Sequence, residues 1–104
     1  MLELIIDTTN NKEVVVGCSI DGKKDLHTVR LARQKAQVVL PLVTKVLRKH
    51  GKKLTDVSAI EVNRGPGSFT GIRVGLSVAN VLGRLYGISI NQHAPGVSEE
   101  PVYE

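Results

Sequence analysis

At 104 residues, 41% hydrophobic and 23% charged, the chain has the size and balance of one globular domain. Its single cysteine, Cys18, excludes an internal disulfide and reads as a small buried apolar residue. A net charge of +4 is modest, no run of about 18 apolar residues exists to span a membrane, and with aromatics at 3% the core must be aliphatic and no platform for stacking bases is present.

The chain begins Met-Leu-Glu-Leu-Ile-Ile-Asp, without a basic stretch or a small-residue cleavage site. Leu2 to Asp7 therefore reads directly as a buried strand. A polar turn from Thr8 to Asn11 leads into a Val-rich second strand, Glu13 to Ile20. Asp21-Gly22 is a hairpin signal, and a third strand follows over Lys24 to Leu31, with the imperfect alternation of an edge.

From Ala36 the periodicity becomes helical and runs to His50. Val39, Leu42, Val43, Val46 and Leu47 form one stripe. Val38 and Leu40 lie outside that stripe, which a helix covering only a sheet would not require. Gly51 closes the helix. Lys45, Arg48, Lys49, His50, Lys52 and Lys53 gather at this end. Cations there complement the helix dipole; a salt-sensitive nucleic-acid footprint is the alternative.

Ala59 to Val62 reads as a fourth strand. A second helix follows from about Thr70 to Tyr86, ended by Gly87, and Ile88 to Asn91 reads as a short fifth strand. From Gln92 the chain is polar, contains Pro95 and Pro101, and is expected to be extended. The order implies an α/β domain with a five-stranded mixed sheet and two main helices.

The most informative segment is Asn63 to Gly75, Asn-Arg-Gly-Pro-Gly-Ser-Phe-Thr-Gly-Ile-Arg-Val-Gly. Ser68 and Thr70 can cap the helix that follows. A glycine-rich loop opening a helix invites an anion site, with Arg64, Gly67, Ser68 and Arg73 as its candidates. Neither a Walker A loop nor a dinucleotide fingerprint is present. The corresponding alternative function is a nucleotide-binding or hydrolytic enzyme using loop 64–71. Asp7, followed by two threonines, can cap a turn or hold a metal-bound phosphate; a lone Asp favours the turn. His27, His50 and His93 lack metal-ligand spacing, and no Gly-x-Ser-x-Gly occurs, so neither catalytic nor metal residues are assigned.

Gly71, Gly75, Ala79 and Gly83 recur every fourth residue along the second helix. A glycine inside a helix costs about 1 kcal/mol relative to alanine, so this notch implies close approach by another element. The remaining sides are also apolar, which implies burial on two sides. The first helix can fill the notch, or another chain can. The expected partner interface is Val39, Leu42, Val43, Val46, Gly71, Gly75, Val78, Ala79 and Leu82.

Ile6-Asp7-Thr8-Thr9, Leu40-Pro41-Leu42-Val43 and the run from Arg64 to Gly75 together resemble the TsaB (YeaZ) family. The resemblance implies an actin-like (ASKHA, ribonuclease H-like) domain over 1–93, with an extended tail over 94–104. It implies a cytoplasmic, non-catalytic scaffold without cofactor, supporting TsaD in threonylcarbamoylation of adenosine 37 in tRNAs that read ANN codons. Helices one and two would pack on the equivalent helices of TsaD, or on a second copy as a homodimer. A TsaE-like ATPase would join, and tRNA would be contacted only indirectly. Two departures stand out. Where the family commonly carries His-Ser, this chain has Lys35-Ala36. The second actin-like domain is expected to be absent, and Glu100-Pro101-Val102-Tyr103 is similar to the family's extreme C-terminus. The His-x-x-x-His of the catalytic paralogue is not found.

Overall fold

A computed structural model describes residues 1–31, 33–95 and 97–102. Five strands form one sheet: β1 (Leu2–Asp7), β2 (Glu13–Ile20), β3 (Lys23–Arg30), β4 (Ala59–Val62) and β5 (Ser89–Ile90). Two helices, α1 (Ala36–Lys49) and α2 (Phe69–Tyr86), cover it. The strand order is β3-β2-β1-β4-β5. The first three strands are antiparallel neighbours, whereas β4 and β5 join in parallel through the helical crossovers.

Register follows from the period-two pattern. Leu4 pairs with Cys18 on one side and Ile60 on the other, and Ile6 with Val16 and Val62. All six are buried on one sheet face, under the helices. The stripe Val39, Leu42, Val43, Val46 and Leu47 meets them from α1, while Ile72, Leu76, Ala79 and Leu82 do so from α2. The opposite face carries Glu3, Ile5, Val15 and Glu61, which are half-buried or exposed. At the β3 edge only alternate residues turn inward, and Leu26 stands out on the open face above Gly17.

The helix ends follow local chemistry. Ser68 caps α2, its Oγ accepting the N–H of Gly71 at 3.3 Å. Gly87, at φ 63°, supplies the left-handed closure that a side chain would disfavour. In α1, Pro41 lies inside the helix, so one intrahelical bond is forfeited. A 3-10 turn at Leu54–Asp56, which periodicity does not announce, joins α1 to β4.

Residues 97–102 have no regular secondary structure, yet they are held against the domain. The N–H of Val102 donates to the carbonyl of Arg64 at 2.7 Å, and Glu99 is buried.

Candidate functional site

The turn after β1 is built around Asp7. Its Oδ1 accepts the N–H of Thr9 at 2.9 Å and the Thr9 hydroxyl at 2.7 Å; its Oδ2 accepts Asn63 Nδ2 at 3.1 Å. Burial pushes the Asp7 carboxyl up, but the Thr9 and Asn63 hydrogen bonds, with Lys35 nearby, bring it below its ordinary value. Asp7 thus joins the β1 end to the loop after β4, a turn-capping role. Among the described residues, no group of three His, Cys, Asp or Glu side chains converges to hold a metal ion.

Thr8 explains the notch in α2. Its hydroxyl donates to the carbonyl of Gly71 and accepts the N–H of Gly75 at 2.9 Å, bridging two groups one helical turn apart. A Cβ at Gly75 would stand 2.5 Å from Thr8 Oγ1, and one at Gly83 would stand 2.5 Å from Ile90 Cδ1. The small-residue face therefore seats the end of β1 and β5 of the same chain. Neither α1 nor a partner fills it.

This placement corrects the expected interface. Val39, Leu42, Val43, Val46, Gly71, Gly75, Ala79 and Leu82 all turn into the core, because they share the stripe that faces the sheet. Val78 is half-buried. The apolar surface that the helices leave in water lies one face over. Leu40 of α1 and Val81, Leu85 and Tyr86 of α2 are exposed, and with Val78 and Leu54 they line a groove of about 410 Å³. Leu40 was legible as a residue outside the α1 stripe. The α2 members were legible only as part of a helix apolar all round.

The four anion-site candidates do not converge. Arg64 Nη1 is paired with Glu99 Oε1 at 3.0 Å. The Arg73 guanidinium lies over the Phe69 ring, 5.6 Å from its centroid. Gly67 lies against Thr9, where a Cβ would come within 2.7 Å of Thr9 Cβ, and Ser68 is committed to capping. Beside the α2 N-terminus lies instead Lys35, which the loop reading did not select: a Cβ at Gly71 would lie 3.2 Å from its Nζ. It is buried, and its Nζ donates to the carbonyls of Asn10 and, at 3.4 Å, Thr8. Burial lowers the Lys35 ammonium's pKa, and the Asp7 carboxylate opposes that shift.

At the far end of α1, the basic cluster is partly neutralised within the chain. Asp25 Oδ2 lies 2.8 Å from Lys49 Nζ, 2.7 Å from His50 Nε2 and 3.3 Å from His27 Nε2. The Lys49 ammonium and the hydrogen-bonded His50, with His27 beside them, hold the Asp25 carboxyl well below the usual carboxylate range. These contacts fasten the β3 edge to α1. Lys45, Arg48, Lys52 and Lys53 remain exposed. Among the described residues, no helix is long and apolar enough to cross a membrane.

Comparison with known proteins adds the following. The family model for TsaD, tRNA N6-adenosine threonylcarbamoyltransferase, matches residues 27–92. The chain is 39% identical over 83 residues to the tRNA threonylcarbamoyladenosine biosynthesis protein TsaB of Escherichia coli (strain K12), covering 76% of this chain and 34% of that protein. Against the protein of the same name from Haemophilus influenzae (strain ATCC 51907 / DSM 11121 / KW20 / Rd), identity is 37% over 82 residues, covering 78% and 34%. Among solved structures, YeaZ from Pseudomonas aeruginosa superposes with a TM-score of 0.81 at 31% identity, covering 86% of this chain and 41% of that one. The chain spans about a third of the length of these curated relatives. Its sheet and two helices have the α/β fold of an actin-like ATPase-type domain.

Proposed function

Because the chain belongs to the TsaB (YeaZ) family, we propose that it serves tRNA threonylcarbamoyladenosine biosynthesis as a non-catalytic subunit that docks on a TsaD-like protein. The observation that carries this reading is the contiguous apolar face of Leu40, Val81, Leu85 and Tyr86 on two adjacent helices. Large exposed apolar residues gathered in one groove mark an interaction surface more often than a free one. Exposed cations on the same two helices favour a protein partner that carries acidic groups. Arg73 and Arg84 are exposed on α2, and Lys45 and Arg48 on α1. Such charges steer encounter and set orientation, while the apolar centre supplies affinity. The interface thus moves from the inward stripe to the outward one, on the same two helices.

The alternative of a nucleotide-handling enzyme loses its main support, since Arg64 and Arg73 point to different partners. Size-exclusion chromatography with light scattering tests the proposal. Mixed with the TsaD-like subunit of its own organism, the chain is expected to elute in one peak of the summed 1:1 mass. Two separate peaks at micromolar concentrations would remove the docking role. A shift of this chain alone to twice its mass would assign the face to a second copy.

A further inference from the structure

Residues 98–102 contact the domain in the manner of a bound peptide. The Glu99 carboxylate receives Arg64 Nη1 at 3.0 Å, Asn91 Nδ2 at 2.9 Å, His93 Nε2 at 3.2 Å and the N–H of Glu100 at 3.0 Å. The main chain of the same residue is read by one side chain. Asn80 Oδ1 accepts the Glu99 N–H at 2.8 Å, and Asn80 Nδ2 donates to its carbonyl at 3.0 Å. On either side, Arg84 Nη2 donates to Ser98 Oγ at 3.3 Å, and the carbonyl of Arg64 accepts the Val102 N–H at 2.7 Å.

Two features separate this from ordinary packing. Three of the receiving groups, Asn80, Arg84 and Asn91, are held in place without the tail. Asn80 and Arg84 project from α2. Asn91 is fixed to β4 by a second pair of hydrogen bonds, accepting the Val62 N–H at 2.9 Å and donating to the Val62 carbonyl at 3.0 Å. The segment itself gives nothing to the apolar core: Val97, Glu100 and Pro101 are exposed, Ser98 and Val102 half-buried, and the one side chain it buries is a carboxylate. A segment held by polar contacts alone opens at lower free energy than the core beneath it.

We infer that the edge formed by Arg64, Asn80, Arg84, Asn91 and His93 is a binding groove for an extended acidic peptide of the pattern Ser-Glu-x-x-Val, filled in cis by residues 98–102 and released without unfolding the domain. Carboxylate capture by Arg64, Asn91 and His93 gives the groove its selectivity, and main-chain pairing to Asn80 and the Arg64 carbonyl sets the strand direction. Occupancy in cis also ties down the loop after β4, so Arg64 becomes free for another anion only when the tail leaves.

The test uses the full chain and a capped peptide, Val-Ser-Glu-Glu-Pro-Val, followed by fluorescence anisotropy. The unmodified chain competes at an effective concentration on the order of millimolar. Glu99→Ala is therefore expected to bind the peptide at least about tenfold more tightly than the unmodified chain. Replacing the first peptide Glu by Ala, or adding Arg64→Ala to the variant, should abolish the gain. A folded Glu99→Ala chain that binds no better than the unmodified one overturns the inference. Native-state hydrogen exchange on the unmodified chain decides the matter independently, should that variant fail to fold. The Glu99 and Val102 amides should exchange on the order of a hundredfold faster than those of Leu4 and Val16; equal rates would make the tail an integral part of the fold.

Discussion

Val81→Asp is the sharpest perturbation of the proposed docking face. The side chain stands mid-helix and is 55% exposed, and Val and Asp have similar helix propensity. The free chain should therefore keep its stability to within about 0.5 kcal/mol. In a complex the balance differs. Leu85 is 72% exposed, Leu40 46% and Tyr86 44%, so with Val81 the face leaves about two side chains' worth of apolar area in water. Covering that area is worth about 3 to 6 kcal/mol. Association itself costs about 4 to 15 kcal/mol. The apolar face alone thus falls short of the association cost over most of this range, and polar contacts at the rim must supply the rest. Losing the Val81 contribution and desolvating a carboxylate in its place removes about 3 kcal/mol or more, or about a hundredfold in Kd. Isothermal titration against the TsaD-like subunit reads this directly, with thermal melts of the free chain as control. Leu85→Lys should act alike, because a cation near the α2 C-terminus suits the helix dipole and spares the free fold. Affinity unchanged by both substitutions would refute the assignment of this face.

Other outcomes follow from the same structure. Gly75→Leu should destabilise the chain itself, whether or not a partner is present, since a Cβ there meets Thr8 Oγ1 at 2.5 Å; a denaturation midpoint equal to the wild type would contradict it. Thr8→Val should cost about 1 to 3 kcal/mol by removing the hydroxyl between Gly71 and Gly75, and Thr8→Ser should restore most of it in urea titrations. For Glu99, burial pushes the carboxyl up, but the bonds from Asn91, the Glu100 N–H and Arg64 more than reverse this, leaving it at about 2 against an ordinary 4.5. A folded value below the unfolded one stabilises above pH 4.5, and the effect disappears as pH falls toward 2. Its ceiling is about 3 kcal/mol. Stability measured at pH 6 and pH 3 should fall more in the wild type than in Glu99→Gln, and parallel losses would show that the clasp contributes little.

Elements specified by local pattern were legible at once. β1 and β2 alternate or run apolar, α2 is bracketed by Ser68 and Gly87, and each appears within a residue of its expected limits. The four-residue spacing of Gly71, Gly75, Ala79 and Gly83 correctly announces a close approach. It cannot announce the neighbour, because Thr8 lies more than sixty positions away and its role is a matter of topology. That most of the expected interface residues are buried in the core was hidden for the same reason. On a helix apolar all round, periodicity shows that two sides are buried or sticky, but not which side meets the sheet. Glu99 escaped notice, and Lys35 stood out only as a departure from the family pattern, because a charge in a polar stretch reads as solvated. Only the assembled fold supplies the donors and carbonyls that let each be buried.

The hydroxyl of Thr8 has a mechanical corollary. By clasping adjacent turns of α2, it acts as a pin through a hinge: the helix can neither slide along the sheet nor roll about its axis without losing both bonds. The outward flank bearing Val81 and Leu85 is thereby held at one bearing relative to the strands. The proposed docking surface is thus a stiff plate rather than a yielding one, which leaves little ordering entropy for an incoming subunit to remove.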